Sequence, residues 1–292
     1  MFSIFRRCVQ VVALVAACVV SAATVSGCSP LRLLFPSNSH ETVAPELPAD
    51  FGRPAILLFT KTNGYRHDQA IDAGVPMFEE IAKRRGWSLF HTENSAVHQP
   101  ELLGRFDAVV WHNTSGNVLS DDQRASLMQW IEGGGGFVGV HGAGGDPSYD
   151  WTWYVEELIG AQFIGHIMGP QFQDATLVVE DRSHPATRRL PASIVHNEEW
   201  YSFDRSVRDR PGWRVLASVD ESTYTPRMDL LWMDSDLSMG DHPVVWSHCL
   251  GRGRTFFSAL GHQRASYARP EMRELLEGAT AWAAFLEGTG CR

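Results

Sequence analysis

Gly133-Gly134-Gly135-Gly136-Phe137-Val138-Gly139-Val140-His141-Gly142-Ala143-Gly144-Gly145 is the stretch that decides how this chain folds. A short apolar run, Phe137 to Val140, ends abruptly in His141, and glycines lie on both sides. The pattern predicts a buried strand running into a tight turn, because glycine supplies the backbone conformations and close approach that such a turn needs. Open α/β sheets place their chemistry at the carboxyl ends of strands. A nucleophile elbow has the form G-x-nucleophile-x-G for the same geometric reason. Here the elbow-like position carries an imidazole.

The flanking sequence repeats the strand-then-helix rhythm. Ala55 to Thr60, Trp87 to His91 and Asp107 to Trp111 read as strands. Residues 68–85, with apolar Ile71, Val75, Phe78 and Ile81, read as a helix, as do residues 121–132 with Ser120 as the N-cap. Strands alternating with helices predict a parallel sheet covered on both faces. The second half is less regular. Ala175 to Val179 and Trp213 to Val219 read as strands, and Pro243 to His248 with Thr255 to Leu260 as a closing pair joined by Gly251-Arg252-Gly253. Glu271 to Leu286 reads as a final amphipathic helix. No linker-like stretch interrupts residues 51–290, which form one domain in this reading.

The N-terminal end is a targeting segment. Arg6 and Arg7 precede an apolar run from Cys8 to about Val20, and small residues lead to Val25-Ser26-Gly27-Cys28. This resembles a bacterial lipobox, so residues 1–27 are expected to be a lipoprotein signal peptide and Cys28 the lipidated residue. Residues 28–50, rich in Pro and Ser, read as a tether. The expected location is the bacterial cell envelope, outside the cytoplasmic membrane, with the membrane reached through the lipid anchor. Cys249 and Cys291 are the cysteines left in the body, and an exported protein can pair them. The formal net charge is −9, and removing Arg6 and Arg7 with the leader takes it to −11. Nucleic acid, which needs a basic face, is not an expected partner. Composition leaves the oligomeric state open.

The candidate chemistry rests on histidines at the ends of strands or in loops. His67 follows the loop after the first strand, His112 ends the third and His141 the fourth. His166 follows Phe163-Ile164-Gly165, and His262 follows Leu260-Gly261. In a parallel sheet the loops after the first, third and fourth strands meet at one edge. Imidazole there can transfer protons or bind a metal near neutral pH. A second cluster is His196-Asn197-Glu198-Glu199-Trp200-Tyr201. In an extended backbone Glu198 and Glu199 point to opposite faces, which predicts one carboxylate in a pocket and the other solvated. Glu199 is taken as the pocket residue, as base, orienter of a histidine or metal ligand. Trp200 and Tyr201 offer flat faces with polar edges, suited to sugar rings, and His112 and Asn113 are placed with them as substrate contacts. Imidazoles with one carboxylate suit a divalent metal such as Zn, Mn, Fe or Ni, without choosing among them. P-loop, dinucleotide and HExxH patterns are absent.

Taken together, several pieces resemble the ThuA-like, or trehalose-utilisation, family. They are TKTNGYRH (Thr60 to His67), DAVVWHNTSG (Asp107 to Gly116), GGGGFVGVHGA (Gly133 to Ala143) and GAQFIGH (Gly160 to His166). EEWYSF (Glu198 to Phe203), PVVWSH (Pro243 to His248) and GRGRTFFSALGH (Gly251 to His262) follow in order. The resemblance implies a flavodoxin-like, class I glutamine amidotransferase-like α/β fold: a three-layer sandwich around a mostly parallel sheet. It also implies a link to disaccharides and their oxidised derivatives. Amidotransferases of that class need a cysteine thiolate at the elbow. His141 stands there instead, so glutamine hydrolysis is not expected. The expected function is an enzyme acting on a disaccharide or keto-sugar, as a hydrolase, lyase or isomerase, through His141, Glu199, His67, His166 and His262. The alternative is a non-catalytic sugar-binding lipoprotein.

Overall fold

The computed structural model describes residues 36–147, 149–230 and 233–291. The expected signal peptide and Cys28 lie outside the described residues. Strand β1 (Ala55–Phe59) leads to helix α1 (Asp68–Arg85), and β2 (Ser88–Thr92) is followed by the short helix α2 (Pro100–Leu103). Then come β3 (Ala108–His112), α3 (Asp121–Glu132) and β4 (Gly136–Val140). All of these but α2, which is not expected from the sequence, match the expected elements to within a residue or two. Gly86 closes α1 in the left-handed conformation, at φ 69°. Ser120 caps α3 as expected. Its side chain accepts from the Gln123 amide while the Gln123 side chain returns to the Ser120 amide, a reciprocal capping box.

The second half adds β5 (Phe163–Gly165), β6 (Gln173–Val179), β7 (Ser193–Glu198), β8 (Ser202–Phe203) and β9 (Trp213–Asp220). A hairpin of β10 (Arg227–Leu230) and β11 (Met233–Asp236) precedes β12 (Pro243–Leu250) and β13 (Gly253–Ser258). Helices α4 (Arg264–Tyr267) and α5 (Pro270–Ala283) close the chain. The nine-stranded central sheet runs β2-β1-β3-β4-β13-β12-β9-β6-β7. Pairing is parallel from β2 to β13 and antiparallel from there to β7. The α/β fold with a large parallel sheet and flanking helices is the one expected; in the antiparallel extension β6, β9 and the β12–β13 pair overlap the expected strands, whereas β7, which carries Glu198, is not among them.

The sheet's parallel half is the core. Every residue of β1, β3 and β4 is buried, so these strands read as continuous apolar runs rather than alternating ones. The α5 backbone packs closely on β4, and a Cβ at Gly136 would lie 2.2 Å from the Ala283 carbonyl oxygen. The opposite face carries Trp111 and Phe137 against Tyr154. Cys249 and Cys291 are joined in a disulfide that closes 42 residues of sequence separation.

Part of the segment read as a tether lies on the domain. The Ser37 amide donates to the Asn63 carbonyl at 2.8 Å, and the Asn94 side chain donates to the Val43 carbonyl at 3.0 Å. Glu41 faces the buried Lys61 ammonium at 2.7 Å and accepts from the Ser95 amide at 2.9 Å. Burial works against this carboxylate, but its bonds to Lys61 and Ser95 outweigh that and bring it down to about 2. No helix among the described residues is long and apolar enough to cross a membrane.

Candidate metal and active site

Beyond β4 the backbone turns sharply at His141, whose φ is +46°. That left-handed conformation is uncommon for a non-glycine residue and marks a strained turn of the elbow kind. Asn113, at φ +53° after β3, supports it from beside, its Oδ1 accepting from the Gly142 amide at 3.3 Å. Gly142 then keeps space clear, since a Cβ there would sit 3.1 Å from Nδ1 of His67.

Four side chains converge at this turn. His67, His141, Glu199 and His262 each offer a ligand atom, and these atoms all lie within 4.8 Å of one another. Nδ1 of His141 is 2.6 Å from the Ala259 carbonyl oxygen, a contact that requires an N–H. A neutral His141 in that tautomer turns its Nε2 lone pair to the cluster, which is the form a metal ligand needs. That Nε2 stands 3.1 Å from Nδ1 of His262 and 3.4 Å from Oε2 of Glu199, while the latter two atoms are 2.9 Å apart. Donors sharing one metal at about 2.1 Å would stand about 2.9–3.4 Å apart in octahedral or tetrahedral arrangement. Nδ1 of His67 is buried without a hydrogen-bond partner, an orphan that a metal bond would satisfy. The set of three imidazoles and one carboxylate fits a divalent transition ion.

The electrostatics favour ligand forms. Burial pushes His67 well below the ordinary imidazole range, and His141 and His262 push the same way, so it stays neutral. Burial would raise the Glu199 carboxyl, but its bonds to His141 and His262 outweigh this and hold it far below the usual carboxylate range. Its second oxygen, Oε1, is 3.2 Å from Nε2 of His166 and accepts from the Gln171 side chain at 2.5 Å. Glu199 thus spans the buried cluster and the part-exposed His166.

The cluster opens onto a cleft of about 250 Å³ lined by Tyr65, His67, Gln69, Gln171, Phe172 and His262 with Asp68 and Gln263. The rings of Tyr65 and Phe172 pack edge-on against His67 and His262, with centroids 4.7 and 5.0 Å apart.

The catalytic residues expected from sequence are thus brought together: His67, His141, His262 and Glu199 in one shell, and His166 against the outer oxygen of Glu199. The four expected substrate contacts are placed elsewhere. His112 is fully buried, its Nε2 at 3.1 Å from the Ala70 carbonyl, because the missing Cβ of Gly74 leaves it room beneath α1. Asn113 serves the turn, donating to the Gly261 carbonyl and the Tyr267 hydroxyl. Trp200 is buried, with its indole N–H on the Gln173 carbonyl. Tyr201 is buried behind the site and stacks on His141 at 4.1 Å. The expectation that Glu198 is solvated is also corrected. It is fully buried and accepts from the Gly261 amide at 2.8 Å, the Glu199 amide at 3.0 Å and the His262 amide at 3.3 Å. The opposite face of this piece is covered by the loop after β13, not by water. Sequence reasoning did not single out Tyr65, Gln171, Phe172 or Gln263, although Tyr65 lies within the TKTNGYRH piece.

The sequence profile described as trehalose utilisation, ThuA, matches residues 55–283. The chain belongs to the ThuA family. A ThuA-like protein of Bacteroides uniformis is 27% identical, with a TM-score of 0.67 over 82% of this chain and 95% of that one. A ThuA-like protein of Parabacteroides merdae shares the fold at 17% identity, with a TM-score of 0.55 over 79% of this chain and 89% of that one. No curated protein matches the sequence.

Proposed function

We propose that this ThuA-family chain is an enzyme of the cell envelope, held by a lipid at Cys28, that acts on a disaccharide or keto-sugar at a divalent-metal centre. The observation that carries the reading is the convergence of His67, His141, Glu199 and His262 within 4.8 Å, with His67 and His262 lining an open cleft. A divalent ion held there supplies Lewis-acid polarisation of a sugar carbonyl or hydroxyl. The remaining work falls to the chain. His166, braced by Glu199 and part-exposed, is placed to carry a proton between substrate and solvent. Gln69, Gln171 and Gln263 offer amides to hydroxyls, and Tyr65 and Phe172 offer ring faces. Among the described residues the lining contains no lysine or arginine, which suits an uncharged sugar rather than a phosphorylated one. The Cys249–Cys291 disulfide supports an oxidising compartment.

The test is elemental analysis of untagged protein purified without chelators, with turnover of disaccharides and 3-keto-glycosides by the wild type, His141→Ala and Glu199→Ala. The expected result is one metal per chain and turnover, both lost in the variants. Substoichiometric metal with unchanged turnover in both variants overturns the proposal. Tight sugar binding with no product after long incubation replaces it with the non-catalytic sugar-binding reading.

A further inference from the structure

Three residues of the EEWYSF piece, Tyr201, Ser202 and Phe203, are not among those that line the cleft. Each is held instead by the loop that joins β11 to β12. Nε2 of His242 stands 2.8 Å from the Tyr201 carbonyl oxygen, the Ser202 hydroxyl donates to the Leu237 carbonyl at 2.8 Å, and the Phe203 amide donates to the Met239 sulfur at 3.2 Å. That loop has its own anchor in Glu221, just beyond β9. Glu221 accepts from the Met239 and Gly240 amides at 2.6 and 2.9 Å, and its Oε1 lies 2.9 Å from Nδ1 of His242. The Tyr224 hydroxyl meets the same nitrogen at 3.2 Å. His242 and Tyr201 are both buried.

The contact between Nε2 of His242 and a carbonyl requires an N–H, and it fixes the backbone at Tyr201. The ring of Tyr201 in turn stacks on His141, with centroids 4.1 Å and planes 27° apart. His141 needs a brace of this kind. Its left-handed backbone, at φ +46°, persists only where the surroundings impose it. The hydrogen bond from its Nδ1 to the Ala259 carbonyl fixes one atom of the imidazole but not the plane of the ring. A stacked aromatic face supplies the plane. Gly145 packs so closely that a Cβ there would lie 2.6 Å from the Tyr201 ring, so the ring has little room to shift.

We propose that His242 is a positioning residue for the metal centre: anchored by Glu221, it holds Tyr201 so that the tyrosine ring sets the plane of His141 and aims its Nε2 into the cluster. This rests on the metal reading above and extends it to a residue outside both the cluster and the cleft. It also gives Tyr201 a role in place of the sugar contact.

The test is made on the full chain, with cobalt(II) as the probe. Affinity is read by competition with a chelator indicator, the ligand field by the visible spectrum, and folding by urea unfolding. In His242→Asn the amide falls where Nδ1 was, which keeps the Glu221 side and loses the bond to Tyr201. In His242→Gln the amide nitrogen falls where Nε2 was, which keeps that bond. The Asn variant should bind cobalt about tenfold or more weakly with an altered spectrum, and the Gln variant should recover much of both. Tyr201→Leu should weaken binding, Tyr201→Phe should bind as the wild type does, and His242→Asn/Tyr201→Leu should bind no more weakly than Tyr201→Leu alone. Equal affinity in the Asn and Gln variants overturns the proposal. So do losses that multiply in the double variant, or a stability loss that leaves affinity and spectrum unmoved. If the Asn variant does not fold, Glu221→Gln must lower affinity, and wild-type affinity there overturns the proposal. Wild-type protein that binds no cobalt overturns the metal reading and this one together, whereas cobalt binding that ignores His242 overturns this one alone.

Discussion

Replacing Glu198 by glutamine changes one oxygen of a buried carboxylate to an amide nitrogen, and the structure sets what that costs. One oxygen accepts from the Gly261 amide at 2.8 Å; the other accepts from the Glu199 and His262 amides at 3.0 and 3.3 Å. Both oxygens sit away from water, since Glu198 is fully buried. A glutamine keeps one acceptor, so either the Gly261 N–H or the pair on Glu199 and His262 faces an NH₂ group. An orphaned buried donor costs about 1–3 kcal/mol, and loss of a charged acceptor places the expected destabilisation at about 2–4 kcal/mol. The same bonds fix the backbone of two proposed ligands, Glu199 and His262. Groups behind metal ligands typically contribute about 10–100-fold in affinity. Urea unfolding of Glu198→Gln should therefore show the stability loss, and competition with a chelator indicator should show metal affinity lowered by about tenfold or more. Glu198→Asp, which keeps both oxygens, should recover part of the affinity. Stability and metal affinity both indistinguishable from wild type would refute the reasoning.

His98 accepts from the Trp111 indole at Nε2, and burial brings it down to about 3 from its ordinary 6.5; its neutral form stabilises the fold above pH 6.5, and that stability is lost as pH falls towards 3, at up to about 1.4 kcal/mol per pH unit. His98→Asn should flatten this part of the acid limb in denaturation measured from pH 7 to 5. Gly145→Ala would place a Cβ 2.6 Å from the Tyr201 ring; an overpacking loss of about 1–3 kcal/mol, read by urea unfolding, should come with weaker metal binding as Tyr201 shifts off His141. Reduction of Cys249–Cys291, which spans 42 residues, should lower stability by about 4 kcal/mol on the loop-entropy argument, or less if the reduced ends stay docked; denaturation with and without reductant measures it.

The parallel half of the sheet was legible because continuous apolar strands and 3.6-residue helices alternate there without interruption. That rhythm also placed His67 and His141 at one edge. It could not say which way a strand-end side chain points. His112 and His141 end neighbouring strands, yet one turns under α1 and the other rises into the cluster, a matter of parity that only the register settles. Alternation separated Glu198 from Glu199, but the cover over Glu198 comes from Gly261 and His262, more than sixty positions away in sequence. Trp200 and Tyr201 misled for a related reason. Their amphipathic rings fit a sugar wall and a packed interior equally well, and the interior has them. Gln171 and Phe172 sit in a segment without periodicity, where nothing local announces a role.

Glu41 makes the residues ahead of the first strand a plug. A shortened chain that begins at Phe51 would leave the Lys61 ammonium in its recess with the counter-charge gone and the Ser95 amide uncovered. An enclosed cation in that position must draw in water or drag its loop outward. That loop reaches His67 six residues later, so trimming the tether for convenience would blunt the centre as well as the fold.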